Sequence, residues 1–337
     1  MRVLVTGSAG FLGRAVCARL AGAGHEVRAM HRRPVADGRP PPDGQPVYGD
    51  VRRLADVERA VTGCAAVVHC AARAGHWGPA ADFHDTNVGG TGNVIEACRR
   101  LSVARLVYTS SPSVVHGGAD LPGVDESVGY PAAYAAAYPR TKAIAERMVL
   151  AANGTALPSG ATLATVALRP HLIWGPGDPH FLPRLVRQAR RNRLWLIGDA
   201  GWLVDTVYVD NAADAHVSAV RRLGPGAAIA GRPYFVTQDD PRPIGEILAL
   251  WLAAAGLPAP TRRLPVALAR VLAWGVETGY GLAGIRSEPP LTRFLVQQLT
   301  TAHWFDIGAA RRDLGYRPAV GTEAGLEVLR AHLAARP

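Results

Sequence analysis

The chain has almost no lysine: of 37 basic residues, 36 are arginine, and the single ammonium is Lys142. Cysteine is scarce too, with only Cys17, Cys64, Cys70 and Cys98, and no two stand at Cys-x-x-Cys or metal-ligand spacing. That excludes a disulfide framework and a thiolate metal site, and fits reduced thiols, Cys17 and Cys98 being inside helical patterns. No metal is expected, because no histidines pair with carboxylates at ligand spacing. No Gly-x-Ser-x-Gly elbow is present, which argues against a serine hydrolase. No stretch reaches the ~18 uninterrupted apolar residues of a membrane-spanning helix. The nearest, Leu264 to Val276, is broken by Arg270, and reads as a core helix of a substrate lobe in preference to an amphipathic surface helix. The strand-like run Arg2–Val5 leads the sequence, so no signal peptide and a cytoplasmic location are expected.

What is present is basic. The formal net charge is +10, spread over pairs such as Arg32-Arg33, Arg99-Arg100 and Arg190-Arg191, without aromatic residues interleaved. Nucleic acid is therefore not an expected partner, whereas the field would draw anionic cofactors and acidic substrates. With 337 residues, 48% hydrophobic and 19% charged, the chain can bury one large core, or one core and an appended lobe.

Its first half alternates β-rich runs with helical ones. Val3–Val5, Glu26–Met30, Ala66–His69, Arg105–Thr109 and Thr165–Leu168 read as strands, and 12–21, 54–61, 91–100 and the stretch carrying Lys142 as helices. That alternation specifies an α/β fold, a doubly wound parallel Rossmann sheet. Residues 1–174 are expected to form it, with 203–232 returning to it. Residues 175–202 and 233–337, where the pattern loosens, are expected to build a smaller, discontinuous C-terminal substrate lobe.

Chemistry concentrates at strand ends. Thr6-Gly7-Ser8-Ala9-Gly10-Phe11-Leu12-Gly13 places a Gly-x-x-Gly-x-x-Gly loop between the first strand and first helix. Glycines there let the backbone approach a pyrophosphate at a helix N-terminus. The second strand ends in Met30-His31-Arg32-Arg33, with no acid to grip a ribose 2′-hydroxyl. Arginine suits a 2′-phosphate, so NADP(H) is expected over NAD(H), held by Arg32, Arg33 and His31. Val107-Tyr108-Thr109-Ser110-Ser111 ends another strand, with Ser111 placed to donate to a substrate oxygen and Ser110 and Ser113 as competitors. Tyr138 stands four residues before Lys142, one helical turn, so phenol and ammonium share a helix face. An ammonium beside a phenol lowers a pKa that starts near ~10. Tyr134 is the rival phenol, but it lies a further turn away.

With these residues in hand, the chain resembles an extended short-chain dehydrogenase/reductase. The matching runs are TGSAGFLG at 6–13, GDV at 49–51, HCAA at 69–72, NVGGTGNV at 87–94, YTSSPSVVHG at 108–117, YPRTK at 138–142, ALRPHLIWGPGD at 167–178 and VDTVYVDNAADAH at 204–216. Within that group it is similar to the 3β-hydroxysteroid dehydrogenase-like branch, and there to bacterial 2-alkyl-3-oxoalkanoate reductases. ARAGHWG at 72–78, TKAIAERMVLAAN at 141–153, EPPLTRFLVQQL at 288–299, HWF at 303–305 and ARRDLGY at 310–316 carry the narrower likeness.

The resemblance implies Ser111, Tyr138 and Lys142 as catalytic residues. It implies a cofactor site including Gly7, Ala9, Gly10, Phe11, Leu12, Gly13, Asp50, Val51, Ala71, Ala72, Asn87, Pro170 and His171. Asn87 is read as bracing the strand beneath the site. Hydride would pass from the nicotinamide to a ketone carbon of a small lipophilic β-keto acid, and a homodimer is the family expectation. Arg73, His76, Trp77, Val114, Phe181 and Phe294 are candidate substrate contacts. Two stretches depart from the family, Gly154 to Thr162 and Gly117 to Gly129, and both are expected at a pocket mouth. A sterol dehydrogenase, a natural-product ketoreductase, a nucleotide-sugar epimerase and a non-catalytic NADPH sensor are the alternative readings.

Overall fold

A computed structural model describes residues 1–34, 41–179 and 181–335. Seven strands form the main sheet: β1 (Arg2–Thr6), β2 (Glu26–His31), β3 (Gln45–Tyr48), β4 (Ala66–His69), β5 (Arg105–Thr109), β6 (Ala164–Pro170) and β7 (Arg232–Val236). Their order is β7-β6-β5-β4-β1-β2-β3, and every pairing is parallel. Because both faces are covered, the strands are apolar at successive positions instead of alternating. Val3 and Val5 enter one core with α1 (Phe11–Gly22) and α6 (Val209–Arg222). Leu4 enters the other, with α2 (Leu54–Val61), α3 (Gly90–Arg100) and α4 (Ala137–Ala151). One π-helical turn, His84–Gly89, leads into α3.

Strand order reverses between β1 and β4, whose last residues, Thr6 and His69, are register partners. An open parallel sheet binds its ligand at such a switch point, beyond the carboxyl ends of the strands. Thr109, ending β5, lies beside Leu168 of β6.

The other α-helices of seven or more residues are α5 (Phe181–Arg190), α7 (Ile244–Ala254), α8 (Val266–Leu282), α9 (Arg293–Leu299) and α10 (Thr322–Ala334). Trp174, Leu182, Leu185, Ile247, Leu248, Trp251, Leu326 and Leu329 form a third core among α5, α7 and α10. A small sheet runs in the order Arg242–Pro243, Leu203–Val204, His303–Phe305, Leu121–Val124. It meets the main sheet where Phe235 of β7 stacks on Phe305, centroids 4.2 Å apart and planes 19° off parallel.

Three expectations need correcting. The return to the main sheet does not stop at 232: β7 begins there and runs to Val236. Pro233 is tolerated because β7 is an edge strand, where a missing ladder donor costs little. The Gly154–Thr162 stretch is not at a pocket mouth. It folds into a small hairpin, with Ala156 bridging Thr162 and Ser159 N donating to Ser102 Oγ at 3.1 Å. That places it before β5 and β6 begin, at the opposite end of the sheet from the switch point. The 264–276 helix is not a core helix either. α8 buries only Ala269 and Ala273, its small residues, and turns its large ones outward.

Candidate active site

The glycine loop is built as its spacing requires. Gly7 has φ +69°, and a Cβ there would stand 2.7 Å from the backbone of Ala71. A Cβ on Gly13 would stand 2.2 Å from Gly7 O. The Thr6 hydroxyl accepts from Ala71 N at 3.2 Å, clamping the two strand ends together. No side chain caps the N-terminus of α1, and no acid sits in its first turn, so its free N–H groups suit an anion. Backbone cradle, uncapped helix and switch-point position together fit a dinucleotide pyrophosphate.

At the end of β2, Arg32 and Arg33 are exposed. His31 is not: its ring is buried, held through Nδ1 by Ser8 Oγ at 3.0 Å, and edge-on to Tyr48. It shapes the strand end and does not reach outward with the arginines. Asp50 is paired with Arg52 Nη2 at 2.6 Å, and that bond holds its carboxyl below the usual range. Val51 is buried against Gly90, and its carbonyl accepts from Asn93 at 2.8 Å.

Tyr138, Lys142 and Glu146 follow one another along α4 at one-turn intervals. Ser111 enters from the turn after β5. Its hydroxyl lies close enough to the Tyr138 phenol to pull that phenol's pKa down, and it accepts from Ser113 Oγ at 3.0 Å. Ser113 thus stands one link behind Ser111, while the Ser110 hydroxyl is buried without a partner. Tyr134 is elsewhere, donating to Val114 O at 2.8 Å.

Lys142 is buried, its Nζ donating to Thr109 O at 2.6 Å and lying 4.2 Å above the Tyr108 ring. Burial pulls its pKa down to about 7, with Glu146 and Cys70 opposing. Tyr138 departs from the sequence expectation. Burial pushes the phenol above its ordinary value, and only the Ser111 hydrogen bond pulls it back. The ammonium is aimed at Thr109 and Tyr108, so the expected depression by Lys142 is absent from the folded chain itself.

Sequence reasoning missed the residues behind this row. Glu146 and Arg169 form a fully buried pair at 2.7 and 3.0 Å, and Tyr130 donates to the same carboxylate at 2.6 Å. The signal was Glu146 at the same helical interval from Lys142 as Tyr138. His69 bridges Thr6 and Thr91 and stays neutral, burial and then Lys142 pulling its pKa down to about 3. The Asn87 amide is spent on Arg73 N at 2.7 Å, Arg73 O at 3.2 Å and Thr141 Oγ1 at 3.0 Å. It braces the loop after β4 against α4.

The other candidates divide. His76 stacks on Phe294 at 5.7 Å and pairs with Glu288 at 2.5 Å, and Arg184 binds the same carboxylate. Trp77 Nε1 donates to Ile285 O at 3.0 Å. These residues form one surface cluster. Gly118, in the 117–129 stretch, packs on Gln297 nearby. Arg73 instead folds back over the Phe83 ring at 5.0 Å. Val114 is fully buried in the first core, and Phe181 packs on Trp251 in the third. Neither joins that cluster, because each fills a hydrophobic core first. Ala72 is exposed and Pro170 buried. His171 is turned to His303, Nε2 to Nδ1 2.8 Å, within a buried cluster that includes His116. Among the described residues no group of three His, Cys, Asp or Glu side chains gathers as a metal set, and no helix is long and apolar enough to cross a membrane.

With this geometry in place, comparison with known proteins is decisive on family. The 3-beta hydroxysteroid dehydrogenase/isomerase family matches residues 4–266. The chain belongs to that family. It is an oxidoreductase of a family that uses NAD(P). The chain is 47% identical over 338 residues to a 2-alkyl-3-oxoalkanoate reductase of Stenotrophomonas maltophilia, covering 99% of this chain and all of that protein. It is 43% identical over 335 residues to a protein of the same description from Shewanella oneidensis, covering 98% of this chain and 85% of that one. A solved UDP-glucose 4-epimerase of Thermus thermophilus in complex with NAD superimposes over the whole of both chains with TM-score 0.74 at 24% identity, a likeness of fold.

Proposed function

We propose that this enzyme reduces the ketone of a 2-alkyl-3-oxoalkanoate, a β-keto acid with a long alkyl branch, to the 3-hydroxy acid with NADPH. The observation that carries the reading is the row Ser111–Tyr138–Lys142, assembled at the carboxyl end of β5 beside the glycine cradle. Similarity to the two reductases over nearly the full chain supports the substrate class.

Gly7, Gly10, Gly13 and the first turn of α1 would hold the pyrophosphate, and Arg32 and Arg33 the 2′-phosphate. The bound dinucleotide supplies a hydride to the carbonyl carbon. Tyr138 donates a proton to the oxygen as charge develops there. Because Ser113 donates to Ser111, the Ser111 proton is free to point at the same oxygen. In its protonated form Lys142 places a positive charge beneath the site, where a dry surrounding makes it count for more than in water. A phenol whose pKa is raised by burial keeps its proton at neutral pH until an oxygen is ready to take it, which suits reduction.

The test is turnover of a 2-alkyl-3-keto acid with NADPH and with NADH. Reduction that prefers NADPH is the expected result. Oxidation of a 3β-hydroxysteroid with no turnover of the keto acid would replace this reading with the sterol one, which the family description favours.

A further inference from the structure

Helix α8 is inverted relative to a packed helix. Leu268, Val271, Leu272, Trp274 and Leu282 are 46, 65, 43, 60 and 87% exposed, and Ile285 just beyond is 41% exposed. At 3.6 residues per turn, Val271, Gly275, Thr278 and Leu282 run down the centre of the outward face, with Leu268 and Trp274 on either side. Buried Ala269 and Ala273 lie opposite. Among the exposed residues from Ala267 to Ile285, Arg270 is the only charged one. The one acid of the helix, Glu277, is turned aside to bind Arg293. Soluble proteins rarely leave such a continuous apolar strip to water without a use for it.

Its surroundings are cationic. Arg262 and Arg263 precede the helix and Arg286 follows it, all exposed. Arg270 and Arg286 have no carboxylate partner among the described residues. Arg262 lies 5.5 Å over the ring of Trp195, itself 45% exposed, beside the strand Leu196–Ile197 that pairs with Arg263–Leu264. An uncharged strip flanked by arginine and tryptophan matches the interface of an anionic bilayer, with apolar side chains below the headgroups and cations among the phosphates. A second copy of this chain fits less well. Self-pairing across a two-fold axis would bring the cations of this face together, and the nearby acids Glu277 and Glu288 are already bound by Arg293 and by His76 and Arg184.

We propose that α8 is an interfacial helix that docks the enzyme on anionic phospholipid, lying in the bilayer surface without crossing it. The docked helix is tied to the cluster around His76 and Trp77, since Tyr280 meets Trp77 edge-on at 6.1 Å and Trp77 is bonded to Ile285.

The experiment is co-sedimentation of the full chain at physiological salt. One set of vesicles is phosphatidylcholine alone, and the other an equal mixture of phosphatidylcholine and phosphatidylglycerol. The wild-type chain is expected on the mixed vesicles only. Val271→Asp with Leu282→Asp, and separately Arg270→Glu with Arg286→Glu, should each weaken binding at least about tenfold. Both variants should retain turnover of a short, soluble ketone, which shows that they are folded. Three results overturn the proposal: no wild-type binding to the mixed vesicles, equal binding to both kinds, or undiminished binding of the aspartate variant. A wild-type dimer seen by ultracentrifugation and dissolved by the aspartate variant, with no vesicle binding, would assign the face to a second copy instead.

Discussion

Lys142 Nζ donates to Thr109 O at 2.6 Å, and that one bond joins the helix carrying the phenol to the strand end that delivers Ser111. Thr109 is held in turn through its hydroxyl, which meets His216 Nε2 at 2.8 Å. A guanidinium is too broad for this single-point donation in a buried site. Lys142→Arg is therefore expected to lose activity nearly as fully as Lys142→Met, measured as kcat/KM for ketone reduction. Substantial rescue by arginine would show that charge alone suffices.

Tyr138→Phe should lower kcat by roughly 10²–10⁴-fold, the range for loss of a positioned proton donor. Dinucleotide affinity, read by quenching of intrinsic fluorescence, should change little. A variant with wild-type kcat would remove Tyr138 from the chemistry.

The depressed lysine leaves a mark on stability. Its folded-state pKa is about 7 against an ordinary 10.5, so between those values the unfolded chain binds the proton and the folded chain does not. Stability of the wild type relative to Lys142→Met should rise with pH across that window, by up to ~1.4 kcal/mol per pH unit, and be flat below it. Paired denaturant titrations across the window provide the measurement, and parallel curves would contradict it.

Glu146 supports the charge on Lys142 and is the carboxylate that pairs with buried Arg169. Glu146→Gln should destabilise the protein by ~3–5 kcal/mol, the usual cost of stranding one partner of a buried pair. It should also lower the lysine pKa further. Any limb of the pH–rate profile that reports loss of the Lys142 charge then moves to lower pH, which stopped-flow reduction over a pH series would show.

Gly13→Ala should abolish dinucleotide binding without unfolding the sheet. The new methyl meets backbone at 2.2 Å, so the loop must move away from the helix terminus it frames. Equilibrium binding with thermal melting separates the two effects. Arg32→Ala with Arg33→Ala should instead spare the loop and raise KM for NADPH by roughly 10–100-fold, with KM for NADH little changed.

The sheet was legible because its strands are buried on both faces and separated by helices of ordinary length, as from Val3–Val5 to Ala66–Val68. The row Ser111, Tyr138, Lys142 was legible because helical spacing and strand ends are local properties. Long-range partners were not. Nothing near Glu146 announces Arg169, and nothing near His171 announces His303, since each pairing is made by topology. α8 misled because hydrophobic content alone does not say which face is buried. There the alanines four residues apart, not the larger side chains, are the inward stripe.

The stack of Phe235 on Phe305 ties the main sheet to the small one. It lies where the main and small sheets meet, and the buried Arg169 guanidinium covers Phe235 at 5.1 Å. That seam is tied through Arg169 to the ion pair behind the lysine, whereas the bond from Trp77 to Ile285 is exposed. A motion that parted the two sheets would have to break the phenylalanine stack and unseat Arg169, whereas the tryptophan bond on the α8 side lies at the surface.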